Sequence, residues 1–118
     1  MASSSAGLHE PEDRLSAEAI DEHRAVVSIM EELEAIDWYS QRAEAAHDGE
    51  LAAILVHNRD EEKEHAAMTL EWLRRRDAKL DQHLRTYLFT SGSILEREAQ
   101  AEGGAAASSG SLGIGDLR

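Results

Sequence analysis

Cysteine is missing from all 118 residues, which excludes disulfides, thiolate catalysis, zinc-finger sites and cysteine-ligated iron–sulfur clusters. Basic residues are half as numerous as acidic ones, 12 against 24, and the formal charge is -12. Sequence-independent nucleic-acid binding needs a basic footprint, so no nucleic-acid partner is expected. No window approaches the roughly 18 apolar residues of a spanning helix. Met1 to Asp13 is polar and acidic without an apolar stretch. No membrane association is expected, and a cytoplasmic location is the default. Excess acid suits a cationic partner, metal ions included, or plain solubility, and charge alone does not choose between them.

Proline occurs once, at Pro11, and the segment from about Ser16 to Ala46 contains neither proline nor glycine. It is built of strong helix formers, with charges interleaved among Ile20, Val26, Val27, Ile29, Met30, Leu33 and Ile36, and reads as one long helix. Pro11 suits its entrance, Ser16 with Ala19 makes an incomplete capping box, and Asp48-Gly49 supplies the turn that follows. A second long helix runs from about Glu50 to Arg76, its cationic end complementing the helix C-terminus. Helices joined so tightly pack antiparallel. Leu80, Leu84, Tyr87 and Leu88 then mark a shorter amphipathic piece, broken at Ser91-Gly92-Ser93, and a brief helix is expected over Ile94 to Ala101. From Gly103 to Gly110 there is only Gly, Ala and Ser, the composition of a flexible tether.

Projected at about 100 degrees per residue, the second helix places Leu51, Leu55, Asn58, Glu62, His65, Ala66, Thr69 and Leu73 on one face. Glu62 and His65 are an acid and an imidazole inside a mostly apolar stripe, one turn and about 4.5 Å apart along the axis, and together they suit one metal ion. The first helix gathers Ala25, Ser28, Ile29, Glu32, Ala35, Ile36, Tyr39 and Ala43, with Glu32 as the acid near its centre. Burying an unpaired carboxylate costs several kcal/mol, so acids in both apolar faces call for hydrogen bonds or a cation. The midpoint between Glu32 and Glu62 is His47, beside the turn, so both carboxylates stand about 22 Å from it and face each other at one level.

Ferritin-like di-iron bundles use one Glu from each of two helices and Glu-x-x-His from each of the other two. This hairpin carries half of that set. A symmetric pair of hairpins would bring two copies of Glu32, Glu62 and His65 to a two-fold axis, where four carboxylates offset two divalent ions. Without metal, those carboxylates would repel. Glu-x-x-His alone is a weak pattern, since charged helices produce surface Glu–His pairs and Glu61 also lies one turn from His65; the level placement of Glu32 strengthens it.

The runs Glu31-Glu32-Leu33-Glu34-Ala35-Ile36-Asp37-Trp38-Tyr39, His57-Asn58-Arg59-Asp60-Glu61-Glu62-Lys63-Glu64-His65-Ala66, Met68-Thr69-Leu70-Glu71-Trp72 and Arg85-Thr86-Tyr87-Leu88-Phe89-Thr90 resemble the encapsulated ferritins, from about His9 to Thr90. The resemblance implies an all-α subunit, an antiparallel two-helix hairpin with a short C-terminal helix, that dimerises into a ferritin-like four-helix bundle and assembles as a ring, a decamer in the family. It implies ferroxidase activity at Glu32, Glu62 and His65 with two irons per dimer interface and Tyr39 close by. It also implies an accessory metal site at Glu31 and Glu34 with Trp38. Spacing alone reads Glu31 and Glu34 as a solvated acidic edge, Trp38, Trp72 and Tyr87 as packing residues, and Tyr39 as either a ligand-orienting or a packing residue. His23, His47, His57 and His83 are read as structural. The same acids could bind divalent ions without turnover, which is the rival, non-enzymatic reading; a hemerythrin-like oxygen carrier would need more histidines.

The final octet, Ser111-Leu112-Gly113-Ile114-Gly115-Asp116-Leu117-Arg118, resembles the targeting peptide by which cargo proteins enter encapsulin compartments, with Leu112, Ile114 and Leu117 as the apolar anchors. Asp116 departs from the small polar residue expected there. In isolation such a tail would read as a frayed terminus. The expected organisation is therefore a flexible segment 1–12, a helical hairpin domain 13–101, a linker 102–110 and a targeting peptide 111–118 that docks on an encapsulin shell.

Overall fold

The structure, a computed structural model, describes the backbone of residues 6–108 and the side chains of residues 6–104. Leu112, Ile114, Asp116 and Leu117, and the targeting role expected of that octet, lie outside the described residues. Every regular element among the described residues is a helix, and the contacts of the chain divide it into two compact units, 1–72 and 73–118.

In the first unit, Pro11 opens a single 3-10 turn, Glu12–Arg14, rather than the long helix itself. Helix α1, Ala17–Ala45, follows. Its 29 residues span about 43 Å. Ser16 caps it, the hydroxyl accepting the Ala19 N–H at 3.0 Å, so the lack of an acid at position 19 costs the reciprocal half of the capping box and nothing more. Ala46 leaves the helix in an extended conformation. Three residues later α2 begins, spanning Gly49–Arg74. The Asp48 carboxylate accepts the Leu51 N–H at 2.8 Å, satisfying one of the donors that a helix start leaves without a partner. Asp48→Ala should therefore lower stability by about 1 kcal/mol, seen as a drop of a few degrees in the thermal midpoint of the metal-free protein; an unchanged midpoint would show the cap to be dispensable.

The segment 6–12, expected to be flexible, carries a tertiary bond in the structure. The His23 Nε2–H donates to the Ala6 carbonyl at 2.7 Å, tying the chain back to α1. His23, read as structural, makes this one bond to the backbone.

The second unit contains α3, Ala78–Tyr87, and α4, Ile94–Ser108. Asp77 caps α3 through the Leu80 N–H at 2.9 Å. Asp81 receives the guanidinium groups of Arg74 and Arg85, and these bonds, Arg74 first, hold its carboxyl below the usual aspartate range. The corner between the two helices uses positive φ at Phe89 and Gly92; for a bulky aromatic this is an uncommon conformation. The Ser93 hydroxyl caps α4 through the Glu96 N–H at 3.1 Å.

Helix α4 runs seven residues past the expected end at Ala101, through Gly103 and Gly104, so the stretch 102–108 is helical where a linker was expected. The physical reason is local: two glycines cost a helix about 1 kcal/mol each, and the alanines and glutamate around them offset this where no proline intervenes.

None of the described residues is buried. Two helices in contact along one line cannot enclose an interior, and Leu33 and Met68 remain 56% and 58% exposed. No helix among the described residues is long and apolar enough to cross a membrane.

Candidate metal centre

The antiparallel hairpin brings Glu32 on α1 into electrostatic contact with Glu62 and His65 on α2; Glu32 and Glu62 stand at equal chain distance from the turn. On α2, the Glu62 Oε1 and His65 Nδ1 atoms are 3.6 Å apart, with both side chains partly open to solvent. Spacing i, i+3 on a continuous helix is what places them side by side.

Glu32 carries the unusual environment. Its Oε1 atom is enclosed and has no hydrogen-bond partner. Burial pushes its carboxyl above the ordinary value of 4.5, and the negative charge of Glu62 adds to this; His65 and a hydrogen bond from Thr69 act in the opposite direction, and Glu31 adds a small further rise. An enclosed carboxylate oxygen beside a second carboxylate lacks a positive partner. Two carboxylates and an imidazole are a donor set suited to ferrous iron and similar divalent ions.

One protomer does not complete a coordination shell. Among the described residues, no group of three or more His, Asp or Glu is gathered tightly enough to hold a metal ion by itself. Glu32, Glu62 and His65 thus come near one another as an incomplete set.

The accessory candidates behave differently. Glu31 is exposed, and Glu34 is half-buried. Trp38 is 49% exposed and shares with Tyr39 the guanidinium of Arg42, whose central carbon lies 6.0 Å from the Trp38 ring and 5.6 Å from the Tyr39 ring. Both rings are therefore held by a cation–π contact one turn along α1. The structure gives them a packing partner that the sequence spacing did not single out. His57, read as structural, stands 3.9 Å from Glu61 on an exposed stretch of α2.

Thr69 was passed over in the sequence as an ordinary member of the apolar stripe. Its hydroxyl donates to the His65 carbonyl at 3.1 Å and is among the groups that act on the Glu32 carboxyl. The available signal was a hydroxyl one turn beyond His65 on the same face.

A family model described as EncFtn-like matches residues 7–91. The chain is 59% identical to an "Encapsulated ferritin-like protein" of Rhodospirillum rubrum, over all of this chain and 92% of that protein. It is 50% identical to a "Ferritin-like protein" of Thermotoga maritima, over 92% of this chain and 96% of that one. A crystal structure of a protein from Nitrosomonas europaea, 59% identical, superposes with a TM-score of 0.73 over 75% of this chain and 97% of the other. With its all-helical fold and a match covering most of its length, this chain belongs to the EncFtn-like family of encapsulated ferritins.

Proposed function

We propose that this protein is a ferroxidase, oxidising ferrous to ferric iron at a site closed by two copies of the chain. The observation that carries the reading is the enclosed, partnerless Oε1 of Glu32 beside Glu62 and His65. Each protomer supplies Glu32, Glu62 and His65, and a dimer doubles the set around its two-fold axis. Two ferrous ions, the substrate, then neutralise four carboxylates. The two imidazoles complete the inner donors.

The work of the chain's own residues is electrostatic and geometric. Carboxylates stabilise the higher charge of ferric iron more than that of ferrous iron, so the site favours the oxidised product. Overall, four ferrous ions, four protons and one dioxygen give four ferric ions and two waters, each iron losing one electron. Tyr39 lies two turns along α1 from Glu32, its ring against Arg42, and its proposed role is to order the solvent edge of the site.

A ring of dimers, a decamer by likeness to the family, has no mineral cavity of its own, so storage falls to a surrounding shell. The "encapsulated" name of the Rhodospirillum rubrum relative and the terminal octet with Leu112, Ile114 and Leu117 support docking on an encapsulin shell within the cytoplasm. Glu31, Glu34 and Trp38 are proposed as an accessory metal site on a separate boundary. The rival is a cargo bundle that binds the same ions without turnover.

The test is anaerobic addition of ferrous iron to the purified oligomer and to monomer, then air, following the ferric-oxo absorbance for wild type and His65→Ala. Rapid oxidation by the wild-type oligomer, slowed more than about tenfold in the variant and missing from monomer, is expected. Binding without oxidation above the buffer rate would leave the non-enzymatic bundle.

A further inference from the structure

We infer that the corner between α3 and α4 is a second contact between copies of this chain, distinct from the contact that closes the metal site, with Phe89 as its anchor. The inference rests on the proposed ring of dimers. A two-fold contact closes on itself once two copies have met, so a ring of such dimers needs another surface. Glu32, Glu62 and His65 belong to the first compact unit and the corner to the second.

Strain, exposure and charge single out this corner. Phe89 holds φ 62, a left-handed conformation that suits glycine or asparagine and strains a bulky side chain. That backbone presents the ring to solvent: Phe89 is 104% exposed, and Leu88, Ile94 and Leu95 beside it are 45%, 69% and 76% exposed. Charge is missing as well. In a chain with 31% charged residues, the ten from Thr86 to Leu95 contain none, and loss of charge around an aromatic marks the centre of protein interfaces.

Charge and area select a second copy as the occupant. Each copy carries -12, so copies repel wherever acidic surfaces face each other and meet at least cost over a charge-free one. The four side chains present on the order of 500 Å² of apolar surface. Two such corners face to face bury about 1,000 Å² in total, where specific interfaces begin. A two-fold pairing sets each copy's Phe89 against the other's corner, and this contact, alternating with the one at the metal site, closes a ring.

The experiment uses the full-length protein. Sedimentation velocity, thermal melting and initial rates of ferrous oxidation are measured for wild type, Phe89→Asn and Phe89→Tyr. Asparagine tolerates the left-handed backbone, so the corner keeps its shape while losing the ring; tyrosine keeps both. Phe89→Asn is expected to fall to dimers at micromolar concentration, the dissociation constant between dimers raised at least about tenfold, with oxidation per chain within about twofold of wild type and Phe89→Tyr like wild type. Because the chain has no cysteine, Ser91→Cys reports the contact directly: a short bis-maleimide should link copies in pairs, and adding Phe89→Asn should abolish the link. A Phe89→Asn protein of wild-type mass, one that falls to monomer and loses oxidation, or a Ser91→Cys protein that does not link overturns the second contact. A wild type no larger than a dimer overturns the ring and the inference with it. Wild-type rings that oxidise no iron, with Phe89→Asn still falling to dimers, overturn the ferroxidase reading alone and support the contact.

Discussion

Replacing Glu32 by Gln should abolish ferrous oxidation while making the metal-free protein more stable at neutral pH. Both outcomes come from one atom. The enclosed Oε1 has no partner, and burial followed by the charge of Glu62 raises the carboxyl above its ordinary 4.5. The sign for stability follows from proton linkage. A carboxyl raised in the folded state binds its proton more tightly there than in the unfolded chain. Its contribution is fully present below pH 4.5 and is lost as pH rises through the folded value.

At pH 7 the wild type therefore carries an ionised group that the fold disfavours, and glutamine removes that charge at nearly constant shape. The measurement is thermal melting of chelator-treated wild type and variant from pH 4 to 8. The wild type should lose ground to Glu32→Gln as pH rises, reaching a gap of a few degrees, and the difference isolates Glu32 from Asp60 and Asp81. Those two carboxyls are held low, Asp60 first by its hydrogen bond from Arg59 and Asp81 first by that from Arg74, so they lose stability in the opposite direction, as pH falls.

Oxidation in Glu32→Gln should fall by more than about a hundredfold, beyond the loss typical of a merely supporting residue, because the amide supplies no charge for iron. A variant that oxidises iron at the wild-type rate, or melts below wild type at pH 7, would contradict the reading of Glu32 as a strained ligand.

Leu33→Asp should separate the copies and remove oxidation without touching a ligand. Leu33 follows Glu32 in the same turn of α1 and is 56% exposed in a single chain. A second hairpin close enough to share a cation with Glu32 would also cover Leu33. Enclosing an unpaired carboxylate there costs several kcal/mol, and a cost of about 3 kcal/mol weakens association roughly a hundredfold. Sedimentation at micromolar concentration should show smaller species, with oxidation per chain reduced by more than about tenfold and partly recovered at high concentration. A fully active monomer would show that one chain suffices and would sink the shared-site reading.

Much of this was legible from the residues. The breaks at Asp48-Gly49 and Ser91-Gly92 lie where the helices change, and the expected ends at Ala46 and Arg76 differ from those found by one and two residues. Apolar periodicity and the absence of glycine or proline over a long stretch leave the backbone few alternatives to helix. The level placement of Glu32 and Glu62 was also readable, because a three-residue connection makes distance from the turn equal to distance along each helix. The linker expected over 102–108 was misread from composition: glycine weakens a helix by about 1 kcal/mol each and does not forbid it.

Local pattern thus determined by itself the helices, their reversal and the residue types facing each other at one level. Only the tertiary structure decided which oxygen of Glu32 is enclosed without a partner, that Arg42 covers Trp38 and Tyr39 together, and that His23 holds the Ala6 carbonyl. Helical periodicity sets the angle at which a side chain leaves the backbone, whereas solvent access and hydrogen-bond geometry depend on atoms that another part of the chain brings within about 3–4 Å.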